Sequence, residues 1–263
     1  DTGAKGVSFA ISTACASSTH AIGEAWRLLR LGAADIMLAG GADAPITLGV
    51  FKAWEAMRVL APAGADPATA CRPFSADRAG LVLAEGAAMF VLETEASARQ
   101  RGARIWAELA GYGASADAGH ITQPALDGPF AAMREAMDAA GLEPRDLDYI
   151  NAHGTGTKLN DSTECAAIRQ LLGVEADRVS VSSTKSMHGH AMGASGAMEL
   201  AATLMALRHQ TAPPTANFTA PDPACNLDVT PNRARPREIR AALSNSFAFG
   251  GLNAVLAIKR SPA

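Results

Sequence analysis

The sequence predicts an α/β protein made of two related halves, and three observations carry that expectation. Apolar runs at 34–44, 146–153 and 179–185 alternate with stretches of helical spacing at 18–31, 128–140, 161–173 and 193–209. A strand, a chemically special residue and a helix follow one another at Cys15 and again around Lys185 and His190. A glycine-bearing hairpin pattern closes each half, at 80–94 and at 239–260. Alternation of this kind implies buried, mostly parallel sheets covered by helices. The halves divide as 1–103 and 104–263.

The elements follow in order. Residues 6–12 (Val7, Phe9, Ile11) read as a buried strand ending just before Cys15. Ile22, Trp26 and Leu29 give a helix that stops near Gly32. The run ADIMLAGGADA (34–44) reads as a second buried strand, and 48–60 as a helix. The stretch 61–73, rich in Pro and Ala, is a loop. GLVLAEGAAMFVLET (80–94) reads as two strands around a Glu-Gly turn, followed by a helix at 95–101 and a strand at 104–113. The helix at 128–140 ends at Gly141, and the strand at 146–153 runs into HGTGT. Asp161 is placed as N-cap of the helix 161–173. A strand at 179–185, an Ala-rich helix at 193–209 and the hairpin at 239–260 complete the chain.

The 263 residues are 48% hydrophobic, enough to bury a sizeable core. A net charge of −3 without a charge run argues against nucleic acid as a partner. Charged or glycine residues interrupt every apolar run, which argues against a membrane span. The start, DTGAKGVSFA, lacks the basic and apolar regions of a signal peptide. It also lacks a Met, which predicts that this is part of a longer protein. The four cysteines, Cys15, Cys71, Cys165 and Cys225, form no CxxC pair, so reduced thiols in a cytoplasm are expected.

Cys15 lies in ISTACASST, between a strand and a helix. It is either a small buried apolar residue or a nucleophile whose thiolate the helix dipole favours. His153 sits at the end of a strand in NAHGTGT, where glycines admit a ligand to the backbone and threonines offer hydroxyls. The alternative is a turn with a hydrogen-bonded histidine. Lys185, His188 and His190 lie in STKSMHGHAMG. Lys185 is either a surface residue or a buried, paired one. His188 and His190 lack the neighbouring cysteines or carboxylates of a familiar metal pattern, so no metal is expected. Glu199, inside an apolar helix, faces solvent or partners a buried cation. One thiol, two histidines and a lysine at strand ends suit nucleophilic acyl chemistry.

TACASS, HGTGT, STKSMHGH and SNSFAFGGLN, in that order, resemble the β-ketoacyl-acyl carrier protein synthases of the condensing-enzyme, or thiolase-like, superfamily. The stretch CRPFSADRAGLVLAEGAAMFVLE adds to the resemblance, which covers essentially the whole chain. It implies a layered αβαβα fold whose N-terminal half is incomplete here, because family members place well over a hundred residues before the nucleophile. It implies Cys15 as the acyl-accepting nucleophile. His153 and His190 would bind the malonyl thioester and promote decarboxylation. Lys185 would support them, with Glu199 beside it. Phe249 would gate the site and, with Cys15, supply the backbone N–H groups of an oxyanion hole. Thr155 and Thr157 would hydrogen-bond the pantetheine arm. Arg58, assisted by Lys52, would meet the acidic carrier protein.

The implied reaction is a decarboxylative Claisen condensation in fatty acid or type II polyketide synthesis. No cofactor is implied beyond the phosphopantetheine of the acyl carrier protein, and the implied assembly is a homodimer or a ketosynthase heterodimer. Two positions depart from the pattern: His188 replaces a more usual threonine or asparagine, and Lys158 replaces a proline common after HGTGT. Lys158 would alter the pantetheine entrance. Cys15 argues against a chain-length-factor partner, which would lack it. The other reading is a non-catalytic or incomplete fragment that keeps the motifs without forming the pocket. A degradative thiolase would expect a second catalytic cysteine in a Gly-rich context, which Cys225, in a Pro-Asp-Pro loop, does not have.

Overall fold

The computed structural model describes residues 2–261; Asp1, Pro262 and Ala263, the outer ends of the two expected halves, lie outside the described residues. In chain order the first elements are α1 (Ser17–Arg30), β1 (Ile36–Asp43), α2 (Leu48–Ala56), β2 (Gly86–Glu93) and α3 (Glu95–Gln100). Then come β3 (Glu108–Ala116), α4 (Asp127–Ala140), β4 (Tyr149–Asn151), α5 (Lys158–Leu172) and β5 (Ser180–Ser182). The chain closes with α6 (Lys185–His188), α7 (Ser195–His209), β6 (Thr211–Ala212), β7 (Arg235–Pro236), β8 (Ala241–Ala248) and β9 (Leu252–Lys259).

The central layer is a five-stranded sheet in the order β3-β9-β8-β4-β5. It is mixed: β4 pairs in parallel with β5 and β8, while β8–β9 and β3–β9 are antiparallel. The expected mostly parallel sheet is therefore corrected, because the hairpin predicted at 239–260 contributes both of its strands to this sheet. Every residue of β8 is buried. Its side chains alternate between two cores, Leu243 and Phe247 on one face, Ala242 and Ala248 on the other. Met133, Met137, Ile168 and Leu171 of α4 and α5 cover the first face. Ile22, Leu200 and Leu207 of α1 and α7 cover the second. A side chain at Gly111 or Gly113 of β3 would collide with the carbonyls of Ala136 and Ala132, so these glycines let α4 lie directly on the strand.

The first part of the chain is built differently. Residues 6–12 pair with no strand among the described residues, and Val7 and Phe9 are exposed. The expected strand is absent because nothing supplies its ladder of hydrogen bonds. The hairpin expected at 80–94 is also corrected. Only β2 is a strand there, and it pairs antiparallel with β1, from Ile36 opposite Glu93 to Asp43 opposite Gly86. The preceding Leu81 and Leu83 make isolated bridges to Leu60 and His190 instead. The run 34–44, read as a buried strand, exposes Ile36 and Leu38, and its partner β2 exposes Met89 and Val91. No helix among the described residues is long and apolar enough to cross a membrane.

Candidate active site

Cys15 stands in a single 3-10 turn, Ala14–Ala16, that leads into α1. The turn is tight: Ala14 has a φ of 48°, and Ser17 Oγ ties it by donating to the Ala14 carbonyl at 2.7 Å and accepting from Thr13 N–H at 2.9 Å. The thiol is buried among small residues. Burial pushes its pKa up to about 11, against the pull of the Lys185 cation and of the backbone N–H groups of Cys15 and Phe249. The expectation that the helix dipole favours a thiolate is therefore corrected: desolvation dominates and the resting sulfur carries its proton. The same two N–H groups face the sulfur, the arrangement an oxyanion hole requires.

His153 follows β4 by two residues and is buried. Its backbone N–H and that of Gly154 each donate to Glu164, on α5, at 2.8 Å. The carboxylate of Glu164 thus fixes the turn that carries the imidazole. Sequence reasoning missed Glu164; its signal was an acidic residue inside the apolar face of the helix after HGTGT. Asp161, expected as an N-cap, lies one turn inside α5, whose N-cap is Thr157. The Asp161 carboxylate accepts instead from Phe74 N–H at 2.9 Å and Gly156 N–H at 3.2 Å, buried beside Arg78.

Lys185 opens α6 just after β5 and is fully buried. Its ammonium pairs with Glu199 and donates to the His153 carbonyl at 2.7 Å and to His153 Nδ1 at 3.2 Å. Burial pushes the Glu199 carboxyl up to about 7, with Lys185 opposing it. The surface reading of Lys185 and the solvent-facing reading of Glu199 are both excluded by this pair. His190 is placed by Gly189, whose φ is 75°, and by its own N–H donating to Val82 O at 2.7 Å. Its Nδ1 shares a hydrogen bond with Ser195 Oγ at 2.7 Å, a partner the sequence did not announce.

The two imidazoles meet edge to face, with centroids 5.4 Å apart. Burial first, and the Lys185 cation second, hold both well below the usual imidazole pKa, so both are neutral near pH 7. Because His153 Nδ1 accepts from Lys185, its ring proton sits on Nε2. A ligand atom from each of Cys15, His153 and His190 lies within 4.8 Å of the others, a spacing that a metal ion could also use. The Nε2–H of His153 and the neighbouring ammonium favour a negatively charged oxygen over a cation. His188 stands apart: it donates from Nδ1 to Gly189 O at 2.8 Å and meets Thr184 Oγ1 at 3.2 Å.

A cavity of about 380 Å³ opens onto Cys15, His153 and His190. Thr155 and Thr157 line it, their hydroxyls bonded to each other at 2.9 Å. Phe249 lines it too, its ring stacked on Trp54 at 5.9 Å. Arg58 is exposed at the rim, with a φ of 57° in the turn after α2. Lys52 is not brought there: it lies on α2, outside the cavity lining, paired with Glu55 at 2.6 Å.

Two family models match the chain in order: the beta-ketoacyl synthase N-terminal domain over residues 1–98 and the beta-ketoacyl synthase C-terminal domain over residues 106–219. Nodulation protein E of Rhizobium meliloti is 54% identical over 258 residues, covering 98% of this chain and 63% of that protein. The 3-oxoacyl-[acyl-carrier-protein] synthase 2 of Staphylococcus aureus (strain COL) is 47% identical over 262 residues, covering 99% of this chain and 63% of that protein. The chain thus spans less than two thirds of the length of these relatives. A beta-ketoacyl synthase from Burkholderia phymatum superposes with a TM-score of 0.91 at 38% identity, over 95% of this chain and 61% of that one. A type II PKS acyl-carrier protein in complex with its ketosynthase bound to the hexaketide gives 0.93 at 38% identity, over 96% and 62%. With the thiol, the imidazole pair and the buried lysine gathered at one cavity, and both parts of the family model matched in sequence, the chain belongs to the β-ketoacyl synthase family, with its thiolase-like fold.

Proposed function

We propose that this chain carries the catalytic core of a β-ketoacyl-acyl carrier protein synthase in fatty acid or type II polyketide synthesis. The observation that carries the reading is the convergence of Cys15, His153 and His190 within 4.8 Å at the floor of one cavity. In the first step Cys15 Sγ attacks the acyl thioester carbonyl. The new S–C bond forms, the bond to the pantetheine sulfur breaks, and the Cys15 proton leaves with that thiol. The backbone N–H groups of Cys15 and Phe249 hold the oxyanion of the tetrahedral intermediate.

In the second step the malonyl carboxylate leaves as CO₂, and its electron pair becomes the enolate of the remaining acetyl thioester. His153 and His190 donate to the enolate oxygen. Lys185, on His153 Nδ1, keeps the ring proton on Nε2 and discourages a charged imidazolium. The enolate carbon then attacks the acyl-Cys15 carbonyl, and the Cys15 sulfur leaves and regains a proton. In the two-half division, 1–103 supplies the nucleophile and 104–263 supplies the decarboxylating pair.

The acyl carrier protein is the proposed partner, met by Arg58, with Lys52 held by Glu55 as a weaker contributor. The solved complex of a type II PKS acyl-carrier protein with its ketosynthase, which this chain resembles in fold, supports this reading. A homodimer or ketosynthase heterodimer, a cytoplasmic location and no cofactor beyond the carrier's phosphopantetheine complete the proposal. Four free, buried cysteines accord with a reducing compartment. The test offers the intact protein an acyl-carrier thioester and then malonyl-carrier. The expected product is a β-ketoacyl-carrier two carbons longer, with one CO₂ released. His153→Ala should abolish CO₂ release yet leave acyl transfer to Cys15. Product formation unaffected by that change would contradict the assignment.

A further inference from the structure

The cavity that holds the catalytic groups is lined by apolar and charged side chains together. Trp54 and Phe249 line it half-buried, and Ile121 and Leu159 line it as exposed apolar side chains. The cations Arg58 and Lys158 stand on its lining and are exposed, and the carboxylate that also lines it, Asp117, accepts from Asn253 at 2.7 Å and from Ala125 N–H at 2.9 Å. Lys158 is the first residue of α5, directly after the Thr155–Thr157 pair. Among the described residues its ammonium makes no hydrogen bond or ion pair. Asp222, whose carboxylate feels it, is already held by Arg78 at 2.5 Å. An exposed cation without a partner, beside two threonine hydroxyls on the lining of the cavity that reaches Cys15, fits the outer end of a long neutral arm that terminates in an anion.

We propose that Lys158 binds the phosphate at the outer end of the pantetheine arm, and so selects phosphate-bearing thioesters over phosphate-free ones. The proposal rests on the ketosynthase reading of the cavity. It makes Lys158, which stands where the family pattern commonly has proline, a specificity-determining residue. Phosphate is the one charged group of such an arm, and Coulomb attraction at an exposed rim discriminates by charge rather than by shape.

The test measures transfer of an octanoyl group to Cys15 from octanoyl-pantetheine and from octanoyl-phosphopantetheine, read by intact mass. An exposed cation facing a phosphate should give a preference of about fivefold for the phosphorylated donor. Lys158→Ala and Lys158→Gln should bring the ratio close to one. Lys158→Glu should invert it, and Lys158→Arg should keep it. Arg99→Ala, which removes a cation held by Glu95 on α3, should leave the ratio alone. A ratio unchanged in Lys158→Ala, or no preference in the unsubstituted protein, overturns the proposal. Absence of transfer from either donor in the unsubstituted protein overturns the ketosynthase reading itself, and Lys158's role falls with it.

Discussion

The two sheets of this molecule obey different rules. The five-stranded sheet is covered on both faces, and β8 and β9 are buried almost throughout. The β1–β2 ribbon is covered on one face only, by α1 and α7, and leaves Ile36, Leu38, Met89 and Val91 open. Both are written in the same apolar, small-residue vocabulary. Composition therefore records the environment a strand is suited to, whereas burial records what this chain itself lays on it. The reactive groups lie where the two regions meet: Cys15 comes from the turn before α1, and the histidines come from loops after β4 and α6.

The largest contrast should appear in paired core truncations. Leu243→Ala in β8 removes a fully buried side chain and should cost about 3 kcal/mol. Leu38→Ala in β1, where the side chain is 44% exposed, should cost less than about 1 kcal/mol. Urea midpoints of the two variants check this. Equal losses would mean that the outer face of the ribbon is covered in the intact protein, which would sharpen the comparison into a statement about an interface.

Lys185→Met should come next. It leaves the Glu199 carboxyl in the core without its cation, at about 3 kcal/mol at pH 8, where the carboxyl must either stay charged or take up a proton. The loss should shrink at pH 5, because burial holds the Glu199 carboxyl at about 7 even with Lys185 opposing it, so the group is protonated in parent and variant alike. Stability measured at both pH values separates this from a simple packing defect, which would not change with pH.

A smaller effect belongs to His188, whose pKa burial lowers to about 4. A depressed folded pKa gives stability that is present above the unfolded value of about 6.5 and is lost as pH falls towards 4. Replacing it with Gln should flatten the acid side of the profile of unfolding free energy against pH by about 1 kcal/mol across that window. Glu199, Glu164 and Asp161, all raised by burial, titrate with the opposite sign, so the comparison is between variant and parent rather than along one curve.

Much of this was legible in the sequence where local pattern and tertiary cover agree. Gly141 ends α4 in the left-handed conformation, and the hairpin at 239–260 forms β8 and β9 with a glycine pair at its turn. The four motifs name the residues that converge on the cavity, because each sits at a break between elements, where the backbone aims a side chain. Pattern failed where the partner is distant. Residues 6–12 read as a strand but lack one to pair with, and Leu81 and Leu83 bridge separate loops instead of forming a hairpin arm. The Cys15 thiol was misjudged because a helix start is visible in sequence, whereas the burial that raises its pKa is visible only in the fold. Glu164 and Ser195 were missed for a related reason: each acts through a hydrogen bond to a histidine whose proximity only the fold reveals.

The most direct measurement is the intact mass of the protein after exposure to an acyl-carrier thioester, with the adduct mapped by peptide. A gain of one acyl group on Cys15, absent in Cys15→Ala, is the predicted result. A folded protein that stays unmodified while its cavity is open would contradict the claim that Cys15, His153 and His190 form a working condensing site.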